Sequence, residues 1–246
     1  MKLTISLDGA ATGAENMRHD LAMLDRCSED TVNIRFYSWK PYCISLGANQ
    51  SEDVLHAEHL ARYGYECVKR PTGGRAILHA EEVTYAITVQ LTRSITPMQI
   101  YRETHLALKQ GLSRYDARLG AVDFEQHQPD FLAFYKTAPG AACFASTARS
   151  ELTFDGKKLV GSAQKKIGGK VLQHGSILCG SLHKEIVNFL SAQDEEKAAV
   201  MKELEARTIT VEDITGKPTD YQELSNALVS GVKDYFIDYG YSVFIT

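Results

Sequence analysis

The 246-residue chain has no CxxC pair, no membrane-length apolar run and no excess of basic charge. Its five cysteines, Cys27, Cys43, Cys67, Cys143 and Cys179, are odd in number and widely spaced. That pattern argues against a disulfide framework and against a cysteine zinc site. Two histidines without a spaced third ligand, His79 and His174, do not make a metal site either, so no metal is expected. Without a long apolar run there is no membrane span to place. The first residues, Met1-Lys2-Leu3-Thr4-Ile5-Ser6-Leu7-Asp8, lack the apolar core of a signal peptide, so a reducing, cytoplasmic setting is expected. With 27 Lys and Arg against 31 Asp and Glu, the chain lacks the basic surplus of a general nucleic-acid binder. No repeat, low-complexity tract or linker interrupts it. At 44% hydrophobic and 24% charged it is ordinary globular sequence, read as one domain over residues 1–246.

What is present is a mixture of two periods. Met17, Leu21 and Leu24 recur at helical spacing over Asn16 to Cys27, with Asp20 near the apolar face. Val32, Ile34 and Phe36 alternate with Asn33 and Arg35, as in a half-buried strand, and Ile44-Ser45-Leu46-Gly47 resumes after Pro41. Trp39 and Tyr42 between them suit a pocket wall or the core. Ser51 to Arg62 reads as one helix. Tyr65 to Lys69, Ala76 to Leu78 and Val83 to Leu91 read as strands. Pro97 fits the first turn of a helix carrying Ile100, Leu108 and Leu112. Gln126 to Ala142 has no period and reads as loop. From Ser150 to Gly180 the pattern is a meander, turning at Asp155-Gly156 and Gly168-Gly169, with Lys158 to Gln164 as one return strand. From Leu182 the chain reads as helical, Thr219 with Gln222 resembles a capping box, and Tyr241 to Ile245 closes as a strand. The expectation is an α+β fold with helices packed on mixed or antiparallel sheets.

One stretch stands out: Lys69-Arg70-Pro71-Thr72-Gly73-Gly74-Arg75-Ala76-Ile77-Leu78-His79. Pro71 pushes Arg70 into an extended conformation. Gly73 and Gly74 permit a sharp turn, and free N–H groups in such a turn can bind an anion between Arg70 and Arg75. The same residues also read as a plain Gly-Gly hairpin joining paired strands, with two solvated arginines. Cys143, after Pro139-Gly140-Ala141-Ala142, suits a reactive thiol or a small core residue. Cys43, Cys67 and Cys179 lie in apolar runs and suit structural positions. Lys158 is either a solvent-facing strand lysine or a buried cation that activates a thiol or holds a carbonyl oxygen. His79 and His174 suit acid–base, positioning or purely structural roles.

These pieces together resemble one family. Arg70 to His79 resembles the signature loop of lipoate–protein ligases and octanoyltransferases. Lys158-Leu159-Val160-Gly161-Ser162-Ala163-Gln164 resembles their lysine motif, and Gln173-His174-Gly175-Ser176-Ile177-Leu178 the strand after it. Phe36-Tyr37-Ser38-Trp39, Ser45-Leu46-Gly47 with Gln50, and Asn16-Met17 to Asp20 are similar to the early elements. The resemblance implies a biotin/lipoate ligase catalytic-domain fold. It implies delivery of an acyl group to a lysine of a lipoyl carrier domain or a glycine-cleavage H-type protein. Ala141-Ala142-Cys143-Phe144 with Glu151-Leu152, and Thr72-Gly73-Gly74-Arg75, resemble the branch that takes octanoyl from acyl carrier protein through a cysteine. That branch needs no cofactor, whereas the ATP-dependent lipoate ligase alternative needs ATP and magnesium. A third alternative is a non-catalytic module that only binds the carrier domain. The resemblance implies Cys143 and Lys158 as catalytic residues. It implies Arg70, Thr72, Gly73, Gly74, Arg75, His79, Gly161, Ser162, Ala163, His174 and Gly175 as substrate-binding. Ala80 stands where relatives often carry aspartate, which weakens any role for a carboxylate beside His79.

Overall fold

Period-2 alternation in the central strands of one sheet, β2 and β6, sets its two faces. The computed structural model describes residues 1–93, 95–124 and 151–246. β1 (Lys2–Ala11), β2 (Thr31–Trp39), β6 (Glu82–Gln90), β10 (Val160–Ile167), β11 (Lys170–Leu178) and β12 (Ser242–Ile245) form a six-stranded sheet in the order β10-β11-β6-β2-β1-β12. The pairs from β10 to β2 are antiparallel, and β1 runs parallel to both β2 and β12. Val32, Ile34 and Phe36 of β2 point to the same side as Val83, Tyr85, Ile87 and Val89 of β6. There they meet α3 (Pro97–Tyr115) and α6 (Tyr221–Asp238) in the main core. The intervening residues face the other way. Tyr37, Trp39, Ala86 and Leu172 pack there against Met17 and Leu24 of α1 (Gly13–Arg26).

A second sheet holds β4 (Glu66–Lys69), β3 (Cys43–Leu46) and β5 (Ile77–His79) in that order, with β3 in the middle. The glycine loop therefore connects two strands that flank a third, parallel on one side and antiparallel on the other. It is not the hairpin that its Gly-Gly pair suggests. β7 (Asp123–Phe124), β8 (Leu152–Phe154) and β9 (Lys157–Lys158) make a small third sheet. The expected return strand from Lys158 to Gln164 is split: Lys157–Lys158 pairs with β8, and β10 crosses to the large sheet.

Helix boundaries follow caps. Thr12 and Thr96 close capping boxes with Glu15 and Gln99, and Pro97 takes the first turn as expected. The stretch read as one helix over Ser51 to Arg62 is two pieces, a 3₁₀ turn at Glu52–Val54 and α2 (Ala57–Tyr63), because Leu55 makes a β-bridge to Leu190 between them. Leu182–Phe189 is 3₁₀, followed by α4 (Asp194–Arg207) and α5 (Val211–Thr215). The cap of α6 is Asp220, whose carboxylate accepts from Glu223 N at 2.9 Å, and not Thr219 with Gln222. Cys43 and Cys179 are buried, and burial pushes both thiols up. Cys67 is exposed, contrary to its apolar setting in sequence. Cys143 and the stretch Gln126 to Ala142 lie outside the described residues. No helix among the described residues is long and apolar enough to cross a membrane.

Candidate active site

The α1-facing side of the large sheet carries an unusual load of buried polar groups. Arg35, Glu82, Thr84, His174 and Ser176 are all buried there, together with Asp20 of α1. Polar burial of this kind costs free energy unless every group is partnered. The partners form a chain. Arg35 Nε pairs with Asp8 Oδ2 and Arg35 Nη1 with Asp20 Oδ1, each at 2.8 Å. Tyr37 Oη donates to Asp20 Oδ2 at 3.1 Å. His174 Nδ1 lies 3.3 Å from the same oxygen, and its Nε2 lies 2.6 Å from Thr72 Oγ1. Burial holds the His174 imidazole below its usual range. Neutral His174 thus donates at Nδ1 to the Asp20 carboxylate and accepts at Nε2 from the Thr72 hydroxyl. In this way α1 fixes the glycine loop through β11.

Arg70 holds the loop from inside. Its Nη1 donates to Ser45 O at 2.7 Å and Ser45 Oγ at 3.1 Å, and its Nη2 to Gly73 O at 2.9 Å and Arg75 O at 2.6 Å. A guanidinium fork is the side chain that can join so many carbonyls at once. The expected flanking cation is thereby a staple of the loop. Gly74 has φ of 93°, and its carbonyl lies against Gly47 so closely that a Cβ on Gly47 would overlap it. Only glycine suits either place.

A pocket opens between the six-stranded sheet and the β4-β3-β5 sheet. It is lined by Arg70, His79, Lys158, Gly161, Ser162, Ala163, His174 and Gly175, all of them expected site residues, with Ser45, Trp39 and Glu151 among the others. Thr72 reaches it through His174, while Gly73, Gly74 and Arg75 are not among the residues lining it. Lys158 is 3% exposed, not solvent-facing. Its Nζ lies 2.8 Å from Glu151 Oε2, with both side chains 3% exposed. Ser162 N donates to the other oxygen of Glu151 at 3.2 Å. One carboxylate thus anchors the ammonium to the strand that forms the pocket wall.

Gly175 explains how the wall is built. It pairs with Ser162 on one side and Tyr85 on the other. A Cβ there would fall 2.5 Å from Ser162 Oγ, 2.6 Å from Gly161 O and 2.7 Å from Tyr85 Cε1. Without it, Tyr85 Oη and Ser162 Oγ meet at 2.7 Å across an intervening strand, and His105 Nε2 lies 2.9 Å from the same Ser162 hydroxyl. Burial lowers His105 to about 3, so it is neutral.

His79 is stacked on Trp39, ring centroids 4.1 Å apart. Its Nε2 lies 2.7 Å from Ser45 Oγ and its Nδ1 2.8 Å from Glu82 Oε1. The same Glu82 oxygen accepts from Thr84 Oγ1 at 2.5 Å and Ser176 Oγ at 2.8 Å. Glu82 thus places a carboxylate against His79. Sequence reading placed Ser45 and Ser176 within matched motifs without giving them a site role, and it missed Glu82, whose signal was a charged residue at the start of a strand.

The model of the lipoyl protein ligase A/B catalytic domain matches residues 12–233. The chain belongs to that family. It is 34% identical over 231 residues to octanoyltransferase LipM of Kyrpidia tusciae, covering 91% of this chain and 83% of the relative. It is likewise 34% identical over 225 residues to the protein of the same name from Geobacillus kaustophilus, covering 83% and 79%. Among solved structures, the bipartite lipoate protein ligase of Thermoplasma acidophilum superposes with a TM-score of 0.72 at 17% identity, covering all of this chain and 86% of that one. A lipoate-protein ligase A bound with ATP superposes at 0.73 with 18% identity, covering all of this chain and 89% of that one. These superpositions bear out the expected α+β ligase-type fold. Family membership makes the chain an acyl-group transferase or ligase.

Proposed function

We propose that the protein transfers an octanoyl group from acyl carrier protein, through a thioester on Cys143, to a lysine amine of a lipoyl carrier domain or a glycine-cleavage H-type protein. The observation that carries this reading is the Lys158 ammonium, buried in the pocket wall and held 2.8 Å from Glu151. A cation kept there at the cost of desolvation suits a site where negative charge appears during reaction. The Cys143 thiolate attacks the donor thioester carbonyl. Lys158 favours the thiolate and stabilises the oxyanion. The donor's carrier thiol leaves with a proton supplied by Lys158. The acceptor amine then attacks the octanoyl–cysteine thioester, the C–N bond forms and the C–S bond breaks. Division into two steps is what a nucleophilic side chain provides. The names of two similar relatives, both octanoyltransferases, support the choice of octanoyl as the group transferred. No cofactor enters these steps.

The test is incubation with octanoyl-acyl carrier protein followed by intact-mass measurement. The wild-type chain gains one octanoyl group, and Cys143→Ala gains none and transfers none. Undiminished transfer by Cys143→Ala removes the cysteine step. Labelling that requires free lipoate, ATP and magnesium and ignores Cys143 replaces the reading with the ligase reaction. Binding of carrier domain without turnover of either donor replaces it with a non-catalytic module.

A further inference from the structure

On the side of the large sheet that faces α3 and α6 lies a cavity of about 280 Å³ that plays no part in the proposed transfer. Its position follows from the helix pair that covers this side. Gly111 of α3 and Gly231 of α6 bring the two backbones into contact. A Cβ on Gly231 would fall 2.3 Å from Gly111 N, and one on Gly111 would fall 2.6 Å from Leu228 Cα. The cavity lies about two turns along α3 from that crossing, at Gln99 to Thr104. Tyr235, Phe236 and Tyr239 of α6 face it, and Val32, Ile87 and Val89 of the sheet make its floor. Among the described residues, it shares none with the acyl pocket.

The walls are apolar except at one place. Ile95, Ile100 and Phe236 continue the floor upward. An apolar cavity of about 150 Å³ takes benzene, so this one has room for an apolar body of roughly ten heavy atoms. Two polar side chains of the wall are engaged by their own helix. Thr104 Oγ1 donates to Ile100 O at 2.7 Å, and Gln99 Oε1 accepts from Thr96 N at 2.9 Å. Glu103 is the one charged side chain among the described lining residues. Its Oε2 accepts from Tyr235 Oη at 2.5 Å. Burial, and Glu103 after it, push the Tyr235 phenol up, so that group stays a donor. Glu103 Oε1 meets the exposed Arg102 guanidinium only at 3.8 Å, too far for a hydrogen bond. The aromatic rings of Tyr235 and Tyr239, with centroids 5.0 Å apart, and that of Tyr241 complete the rim.

We propose that this cavity is a binding site for a small apolar molecule with a cationic head, an alkyl- or arylalkylammonium. The apolar body covers Val32, Ile87 and Val89, and the head donates to Glu103 Oε1 beside the tyrosine rings. A charge-assisted hydrogen bond of this kind is roughly twice as strong as a neutral one. A cation over a phenol ring adds attraction to the ring quadrupole. The same carboxylate repels fatty acids, so the site does not duplicate an acyl pocket.

Isothermal titration of the full chain at pH 7 with 2-phenylethylammonium, 2-phenylethanol and 3-phenylpropanoate tests the site. The ammonium saturates with a Kd below about 1 mM and binds at least about tenfold more tightly than either other probe. Glu103→Gln keeps the shape of the side chain and brings the three probes within about threefold of one another. Ile95→Trp fills the cavity from its wall and weakens the ammonium by about tenfold or more. Thermal unfolding checks that each variant folds, and Ile100→Phe fills the same space from α3 should Ile95→Trp fail. No saturation by the ammonium up to about 10 mM overturns the site. Binding that ignores both Glu103→Gln and the filling variant also overturns it, since the ligand then sits elsewhere. Equal affinity of the wild-type chain for all three probes, or tightest binding of the propanoate, overturns the cationic class. Acyl transfer enters none of these readouts, so the site stands or falls apart from the octanoyltransferase reading.

Discussion

Glu151→Gln isolates the charge at the heart of the pocket. Gln keeps the shape of the side chain and an acceptor for Ser162 N, which now donates at 3.2 Å. It removes the negative charge 2.8 Å from Lys158 Nζ, where both side chains are 3% exposed. Removing the charge of one member of a buried ion pair costs about 3–5 kcal/mol. The loss at pH 7 is therefore expected at about 3–5 kcal/mol, a large share of the stability of an ordinary domain.

Urea unfolding at pH 7 measures this loss. The double variant Lys158→Met, Glu151→Gln removes the stranded charge and should recover most of the loss. A single variant within about 1 kcal/mol of wild type at pH 7 would refute the reasoning, since it would mean the pair is effectively solvated. So would a double variant no more stable than the single.

Gly175→Ala should cost about 1–3 kcal/mol from overpacking and abolish transfer, because its methyl meets Ser162, Gly161 and Tyr85 at once; thermal unfolding and the octanoyl assay report the two effects. Arg70→Lys should lower the melting temperature and the transfer rate together, as one ammonium cannot span Ser45, Gly73 and Arg75; an unchanged melting temperature would contradict the staple. Burial lowers His105 to about 3 and His183 to about 4, so both are neutral in the fold and charged in the unfolded chain below about 6.5. Stability should then fall as pH drops from about 6.5 toward 4, by up to about 1.4 kcal/mol per unit for each, and His105→Gln should remove its share of that slope in urea titrations.

The parts of the fold that were legible from sequence are those with local causes. Alternation of Val32, Ile34 and Phe36 marked β2 as a strand with one buried face, and the β-favouring residues of Val83 to Leu91 marked β6. Pro97 marked a helix start because its missing N–H is harmless there. Failures occurred where a distant partner overrides the local pattern. The apolar residues of Ser51 to Arg62 carry a helical period, yet Leu55 is taken by Leu190 and the helix breaks. Lys158 to Gln164 alternates as one strand, but it serves two sheets. The Gly-Gly turn looks like a hairpin locally, and only the insertion of β3 between its strands shows otherwise.

The site divides in the same way, and the division has a physical cause. The glycine loop and the lysine motif are contiguous stretches, so their residue types could be matched without knowing what they touch. Their partners come from strands and helices apart in sequence: Asp20 of α1 onto His174, Glu82 and Ser45 onto His79, Tyr85 and His105 of α3 onto Ser162. Those between strands join across a register that period-2 alternation fixes by face but not by pairing. Composition could reveal that buried polar residues would need partners; only the strand order β10-β11-β6-β2 decides which. Arg70 shows the consequence most plainly. Read alone it is a free cation for an anionic ligand, and read with Ser45, Gly73 and Arg75 it is spent on loop carbonyls. Lys158, whose ammonium is kept in the pocket wall by Glu151, is a second buried cation of the same pocket.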